Sequence, residues 1–177
     1  MTHLTPSMQR VVDTLAAKGH PHRPVMLSDA ARTAQQAADA LGVALGQIAK
    51  SILFRRKNHP SGVDAAVLVV TSGDLRVDEK KVQALVCADG GKLGRANAEF
   101  VKEMTGFSIG GVSPVAHASP PVTLIDRELL RFEEVWAAAG HPHGVFRLSP
   151  QELVELTGAP VADVTVTADN APEEGDQ

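Results

Sequence analysis

Apolar residues at Met8, Val11, Val12 and Leu15 recur three and four positions apart behind Thr5-Pro6. This spacing predicts an amphipathic helix, capped by Thr5 and stopped by Gly19. His20-Pro-His-Arg-Pro24 reads as a rigid connector, and Val25–Leu27 as a short strand. Thr33 and Gln36 have the spacing of a capping box, opening a helix that carries Ala34, Ala37, Ala38 and Leu41 and ends at Gly42. Ile48–Arg55 predicts a strand, and Asn58-His-Pro-Ser-Gly62 a turn. Val63–Thr71 is almost continuously apolar, the pattern of a strand covered on both faces.

The second half repeats these signals less regularly. Asp78 predicts the cap of a helix bearing Val82, Leu85 and Val86, and Asn97 that of a helix running through Phe100, Val101 and Met104 to Gly106. Between them Asp89-Gly-Gly91 is a turn. A loop rich in Gly and Pro spans Phe107–Pro121, followed by predicted strands at Val122–Ile125, Glu133–Ala139 and Val145–Leu148. The last two flank Gly140-His-Pro-His-Gly144. Ser149-Pro-Gln-Glu152 starts a final helix, with Ser as cap, Pro at the first position and Glu at the third, ending near Gly158. From Ala168 onward the sequence is acidic and polar, and a disordered tail is expected there.

Helical and strand segments interleave without a βαβ rhythm, and hairpin-type turns are frequent. The expected fold is α+β: one mixed α/β domain over residues 1–167, with a mostly antiparallel or mixed, curved sheet surrounded by helices. No internal repeat or domain boundary is visible.

Composition narrows the function. Aromatic residues are 3% of the 177 and Tyr is absent, so the core must be aliphatic and a platform for stacking several bases is not expected. The formal net charge is −4, unlike proteins that grip a long phosphate backbone; any nucleic-acid contact should be local. Cys87 is the one cysteine, so no internal disulfide can form. No run approaches the roughly 18 apolar residues of a membrane span. Met1-Thr-His-Leu-Thr-Pro6 lacks a basic segment followed by an apolar run, so no signal peptide is expected, and the cytoplasm is the expected compartment.

Two features carry candidate chemistry. On a strand, Lys50 shares a face with Ile52 and Phe54, while Ser51, Leu53 and Arg55 face the other way. A lysine among apolar neighbours either snorkels to water or points into a cleft. Gly110-Gly111, ahead of Pro114, either forms a plain surface turn or lets a ligand approach main-chain N–H groups that can receive a phosphate, a carbonyl or a developing oxyanion. The spacing is neither that of a P-loop nor that of a dinucleotide fingerprint. The pairs His20/His22 and His141/His143 sit beside prolines and read as turn residues rather than metal ligands. Cys87 reads as a buried structural thiol, and Ser113 lacks the context of a nucleophile elbow.

In order and spacing, Lys50-Ser-Ile-Leu-Phe54, Val77-Asp-Glu-Lys-Lys81, Gly106-Phe-Ser-Ile-Gly-Gly-Val-Ser-Pro114, Leu124-Ile-Asp126 and the Gly140–Leu148 hairpin leading into Ser149-Pro resemble the YbaK/ProXp family. These are free-standing aminoacyl-tRNA deacylases related to the editing domain inserted in bacterial prolyl-tRNA synthetases. The resemblance covers residues 6 to 166. It implies a YbaK-like fold and a trans-editing deacylase that hydrolyses a mischarged small amino acid from tRNA, tRNA-Pro in the first place. Lys50 is then the functional, catalytic lysine. Gly110, Gly111, Val112, Ser113 and Pro114 form the Gly-x-x-x-Pro loop beside the aminoacyl-adenosine pocket, with Ser51, Asp126 and His143 as further substrate-binding candidates. Some alanine-specific members carry Asn directly after the lysine, where this chain has Ser51, so the resemblance leaves the amino acid open. The implied partners are the acceptor end of mischarged tRNA and prolyl-tRNA synthetase, with no metal, cofactor or membrane. Two other readings remain: a hydrolase of another small aminoacyl ester or thioester, and a non-catalytic module binding a tRNA end or a synthetase.

Overall fold

The computed structural model describes residues 4–28, 31, 33–57 and 61–166. The expected tail at 168–177 and residues 58–60 of the expected turn lie outside them.

Each predicted helix cap is the cap found. Helix α1 (Pro6–Ala17) begins where Thr5 Oγ1 accepts from Met8 N at 3.2 Å, and it buries Met8, Val11 and Leu15. Helix α2 (Ala34–Leu41) has the full capping box: Thr33 Oγ1 accepts from Gln36 N and Gln36 Oε1 from Thr33 N, each at 3.1 Å. Asp78, Asn97 and Ser149 cap α3 (Glu79–Val86), α4 (Ala98–Thr105) and α5 (Pro150–Thr157). These side chains satisfy N–H groups that a helix start leaves without partners, which is why their positions are legible locally.

The strands are β1 (Val25–Met26), β2 (Ile48–Lys57), β3 (Ala65–Ser72), β4 (Lys92–Arg95), β5 (Val122–Asp126), β6 (Val135–Ala138), β7 (Gly144–Leu148) and β8 (Val161–Ala162). They form one mixed sheet in the order β1-β7-β6-β2-β3-β5-β8, with β4 also paired to β2. Pairs β1/β7, β6/β7, β2/β3 and β2/β4 are antiparallel; β2/β6, β3/β5 and β5/β8 are parallel. Val67, Leu68, Val69 and Val70 of β3 are all fully buried, each contributing about 1.5–3 kcal/mol. The predicted two-faced strand is therefore the sheet's anchor.

Strand alternation divides the interior. One face carries Ala49, Leu53, Leu68, Val70, Ile125, Val135 and Ala137 into the main core with α1, α4 and α5. The other carries Phe54, Val67, Val69 and Leu124 against Val82 of α3. Along its side away from β3, β2 pairs with β6 at Ile48 and Ala49 and with β4 from Phe54 onward. Between these pairings, among the described residues, no strand lies beside Lys50, Ser51, Ile52 or Leu53 on that side, and of the four only Leu53 is tied across, its carbonyl accepting from Ala96 N. The functional geometry is built on this gap.

Candidate active site

A cavity of about 280 Å³ opens at the gap. Ile48, Lys50 and Ile52 of β2 and Trp136 and Ala138 of β6 line it, with Ala34 and Ala37 of α2, Leu27, and Gly110, Val112 and Pro142 from two loops. A smaller pocket of about 180 Å³ shares Ser51, Ile52, Gly110 and Val112 with it and adds Arg95.

Lys50 stands where the second core gives way to the cavity. It is half-buried, and its Nζ donates to the Leu75 carbonyl at 3.1 Å. An ammonium has three donors, so two remain for a ligand. Burial pulls the Lys50 ionisation below the ordinary lysine range, the Asp74 charge opposes that pull, and Arg95 adds to it. The cleft alternative for this lysine is the one the fold adopts.

Ser51 lies on the opposite sheet face from Lys50, yet it borders both pockets. Its Oγ is buried without a partner among the described residues. Leu53 O accepts from Ala96 N at 3.4 Å, so Leu53 presents its peptide groups away from β3. Alternation in an antiparallel ladder then turns the N–H and C=O of Ser51 the same way, into the gap.

Gly110 has φ +92°, which only glycine adopts without strain, and it borders the cavity. Val112 is buried and lines it. Gly111 lies behind the lining, where a Cβ would come within 2.9 Å of the His141 carbonyl carbon and 3.0 Å of Pro142 N. Ser113 and Pro114 are also off the lining: Ser113 is fully buried, and its Oγ accepts from Val115 N at 3.1 Å. Asp126 is fully buried, accepting from Thr71 Oγ1, Ser72 N and Glu128 N at 2.9–3.1 Å. His143 directs Nδ1 to the Ala31 carbonyl at 3.3 Å, while its neighbours Pro142 and Gly144 are the lining residues.

Several groups at the site were not singled out in the sequence. Trp136 lines the cavity, and its Nε1 is buried without a partner among the described residues. Alternation with Val135 and Ala137 was the available signal. Two staples hold the glycine loop from behind. Arg10 Nη2 donates to the carbonyls of Thr105 (3.0 Å) and Ala116 (2.7 Å), and His117 Nε2 donates to Ser113 O at 2.6 Å. Ala116 is at φ +69°, a strained position for a residue with a Cβ and one held by these contacts. No local pattern announces the Arg10 contacts, which span 95 and 106 residues.

Burial lowers the His117 ionisation below that of a free histidine; the hydrogen bond to Ser113 opposes this, and Arg10 reinforces it. The neutral ring is the folded form. As pH falls below the unfolded value near 6.5, the unfolded chain takes up this proton first. Stability from this group is thus complete above that value and lost as pH drops through the lower folded one. Chemical denaturation at pH 7.5 and 5.5 should show a smaller pH-dependent loss in His117→Gln than in the wild type; equal losses would remove His117 from the account.

Elsewhere the chemistry is quiet. Cys87 is buried and its thiol is pushed up by that burial, as expected of a structural cysteine. Among the described residues no helix is long and apolar enough to cross a membrane, and no group of three His, Cys, Asp or Glu side chains is placed to hold a metal ion.

Comparison with known proteins supplies the context for this geometry. Residues 28–156 match the family model described as the aminoacyl-tRNA editing domain. The chain is 37% identical over 125 residues to the uncharacterised protein YwhH of Bacillus subtilis, covering 71% of this chain and 74% of YwhH. It is 26% identical over 135 residues to EbsC of Enterococcus faecalis, named as a candidate Cys-tRNA(Pro)/Cys-tRNA(Cys) deacylase, covering 75% and 77% of the two chains. A crystal structure of a candidate trans-editing enzyme for prolyl tRNA synthetase superimposes with a TM-score of 0.82 at 44% identity, over 92% of this chain and 99% of the other.

Proposed function

The chain belongs to the aminoacyl-tRNA editing domain family and is an aminoacyl-tRNA deacylase; from this premise we propose that it acts in trans, in the cytoplasm, on small amino acids misplaced on tRNA-Pro. The observation that carries the proposal is the half-buried Lys50 ammonium, with donors to spare, at the wall of a small apolar cavity faced by Gly110.

The aminoacyl ester is already activated, so positioning and charge stabilisation suffice without a side-chain nucleophile. Water adds to the ester carbonyl carbon and the bond to the ribose oxygen breaks. The ribose oxygen takes up a proton, leaving free amino acid and the tRNA 3′ end. Lys50 holds the ester or the terminal nucleotide through its free N–H groups. The main-chain N–H groups of Gly110 and Val112, the loop residues that line the cavity, are offered to the carbonyl oxygen, that of Gly111 being taken by Ser108 O. Ser51 Oγ, buried without a partner among the described residues, offers a further contact to the substrate.

The sieve logic explains why such an enzyme is useful. A synthetase pocket shaped for proline rejects a slightly smaller amino acid by only ~1–3 kcal/mol per methylene. A second pocket must then hydrolyse what the first accepts. Leu27, Ile48, Ile52 and Trp136 supply the bulk that bounds this cavity, and by the sieve argument it admits small side chains in preference to a ring. A deacylation panel of tRNA charged with each small amino acid should show hydrolysis of at least one of them, with prolyl-tRNA spared. Prolyl-tRNA hydrolysed as fast as every mischarged species would refute the editing role. A small aminoacyl ester hydrolysed as readily as the tRNA would shift the substrate class. No turnover at all would leave a binding module.

A further inference from the structure

Lys50 begins a polar row that crosses three strands. The β2/β3 register places Thr71 opposite Lys50, and Thr71 Oγ1 donates across to Asp126 of β5 at 3.1 Å. Asp126 also accepts from Ser72 N, fixing the residue at which β3 ends. Beyond it the chain turns, with Leu75 N donating to Ser72 O at 3.1 Å.

This turn is fastened at several points. Ser72 Oγ donates to Gly46 O at 2.5 Å and accepts from Arg131 Nη2 at 2.8 Å. Arg131 Nη2 also reaches Asp74 Oδ1 at 3.0 Å, and that oxygen lies 2.9 Å from Ser72 Oγ. Gly73 is pressed so closely on the preceding segment that a Cβ there would lie 2.5 Å from Leu45 O. The product of these contacts is a fixed Leu75 carbonyl, the acceptor on which the Lys50 ammonium rests.

We propose that Asp74 is a positioning residue for Lys50: with Ser72 and Arg131 it holds the turn that carries the Leu75 carbonyl on which the ammonium rests. The proposal rests on the reading of Lys50 as the working residue of the deacylase site. An exposed ion pair alone contributes little. Here the pair is tied to the buried Ser72 and to the end of a central strand, so moving it moves the lysine.

Among the described residues, the charged groups around Lys50 are few. Asp74 approaches from the turn and Arg95 from β4; Asp126 sits behind Thr71, and Arg131 lies beyond Asp74. The only charged residue of α2, Asp39, is exposed and takes the Gln35 amide. The loop from Phe107 to Ala116 and β6 contribute none. With Asp74 neutralised, burial and Arg95 act on the ammonium unopposed, and Lys50 gives up its proton at lower pH.

The test uses the full chain and the variants Asp74→Asn, Asp74→Glu and Asp64→Asn. Asp64 pairs with Arg55 and serves as a charge control away from Lys50. Acetylation of Lys50 by acetic anhydride, followed by mass spectrometry across pH, reports its ionisation directly. Single-turnover deacylation is measured over the same range, beside thermal melts. Asp74→Asn should lower the Lys50 midpoint, slow deacylation by roughly tenfold through misplacement, and melt near the wild type. Asp74→Glu should restore the midpoint at least in part, and Asp64→Asn should leave it in place. An unmoved midpoint in Asp74→Asn overturns the proposal, whatever deacylation does. A lowered midpoint with unchanged deacylation overturns the positioning role as well, while the part of Lys50 itself is read separately from Lys50→Ala.

Discussion

Lys50→Ala is expected to fold like the wild type and lose deacylation by about a hundredfold or more, the scale seen when one preorganised donor is removed from a reacting oxygen. The fold gives up little, because the side chain is only half-buried and its one hydrogen bond among the described residues is to the Leu75 carbonyl. Stability changes at such positions usually stay within ~0.5 kcal/mol. What disappears is a charge-assisted contact at the reacting end. Lys50→Arg should fail as well, since a planar guanidinium does not replace a compact ammonium where Ile48, Ile52 and Trp136 crowd the wall. Single-turnover deacylation beside a thermal melt decides the matter. A well-folded Lys50→Ala protein with wild-type rates would end the site assignment.

Gly111→Ala should be the other severe change, by a different route. Its new methyl would sit 2.9 Å from the His141 carbonyl carbon and 3.0 Å from Pro142 N, and neither backbone atom can turn aside as a side-chain end can. The glycine loop and the Gly140–Gly144 turn must part, and both supply cavity-lining residues. A displacement of that kind can cost about a hundredfold in rate. Overpacking costs typically 1–3 kcal/mol, so the melting temperature should fall by several degrees too. Gly110→Ala offers a useful contrast: its methyl meets nothing within 4 Å, so the penalty is backbone strain at positive φ and a narrower cavity. Rates and melts for both variants, measured together, test this. Near-normal turnover in Gly111→Ala would make the loop an ordinary turn.

Local signals in the sequence proved sufficient for some parts of this molecule and blind to others. Thr5, Thr33, Asp78, Asn97 and Ser149 all cap helices, because a cap is settled by a side chain and the N–H two or three residues ahead of it. The Val63–Thr71 run became the buried β3, shifted slightly to Ala65–Ser72, because its character does not depend on which neighbour covers it. Strands β4 and β8 were missed. Lys92-Leu-Gly-Arg95 has no apolar alternation and is a strand only because β2 pairs with it, and Val161–Ala162 is just two residues long.

The site followed the same division. Lys50, Ser51, Gly110 and Val112 line the cavity, as motifs at a strand and a glycine turn suggested. Ser113, Pro114, Asp126 and His143 stand beside or behind it. Adjacency in a motif does not say which way alternate residues face. The Asp126 ladder, the Arg131–Asp74 pair and the Arg10 staple each join positions brought together only by folding.

The interrupted pairing of β2 has one more consequence. Lys50–Ile52 is a stretch of sheet edge placed in the interior of the sheet order, bounded by β6 on one side and β4 on the other. Ordinary sheet edges invite pairing with other chains, and proteins suppress this with charge, proline or bulges. Here the protection is length: three residues at about 3.3 Å each leave an opening of about 10 Å, too short to template a strand from another molecule. The enzyme can therefore keep unpaired peptide groups open to a small ligand without exposing an aggregation-prone border.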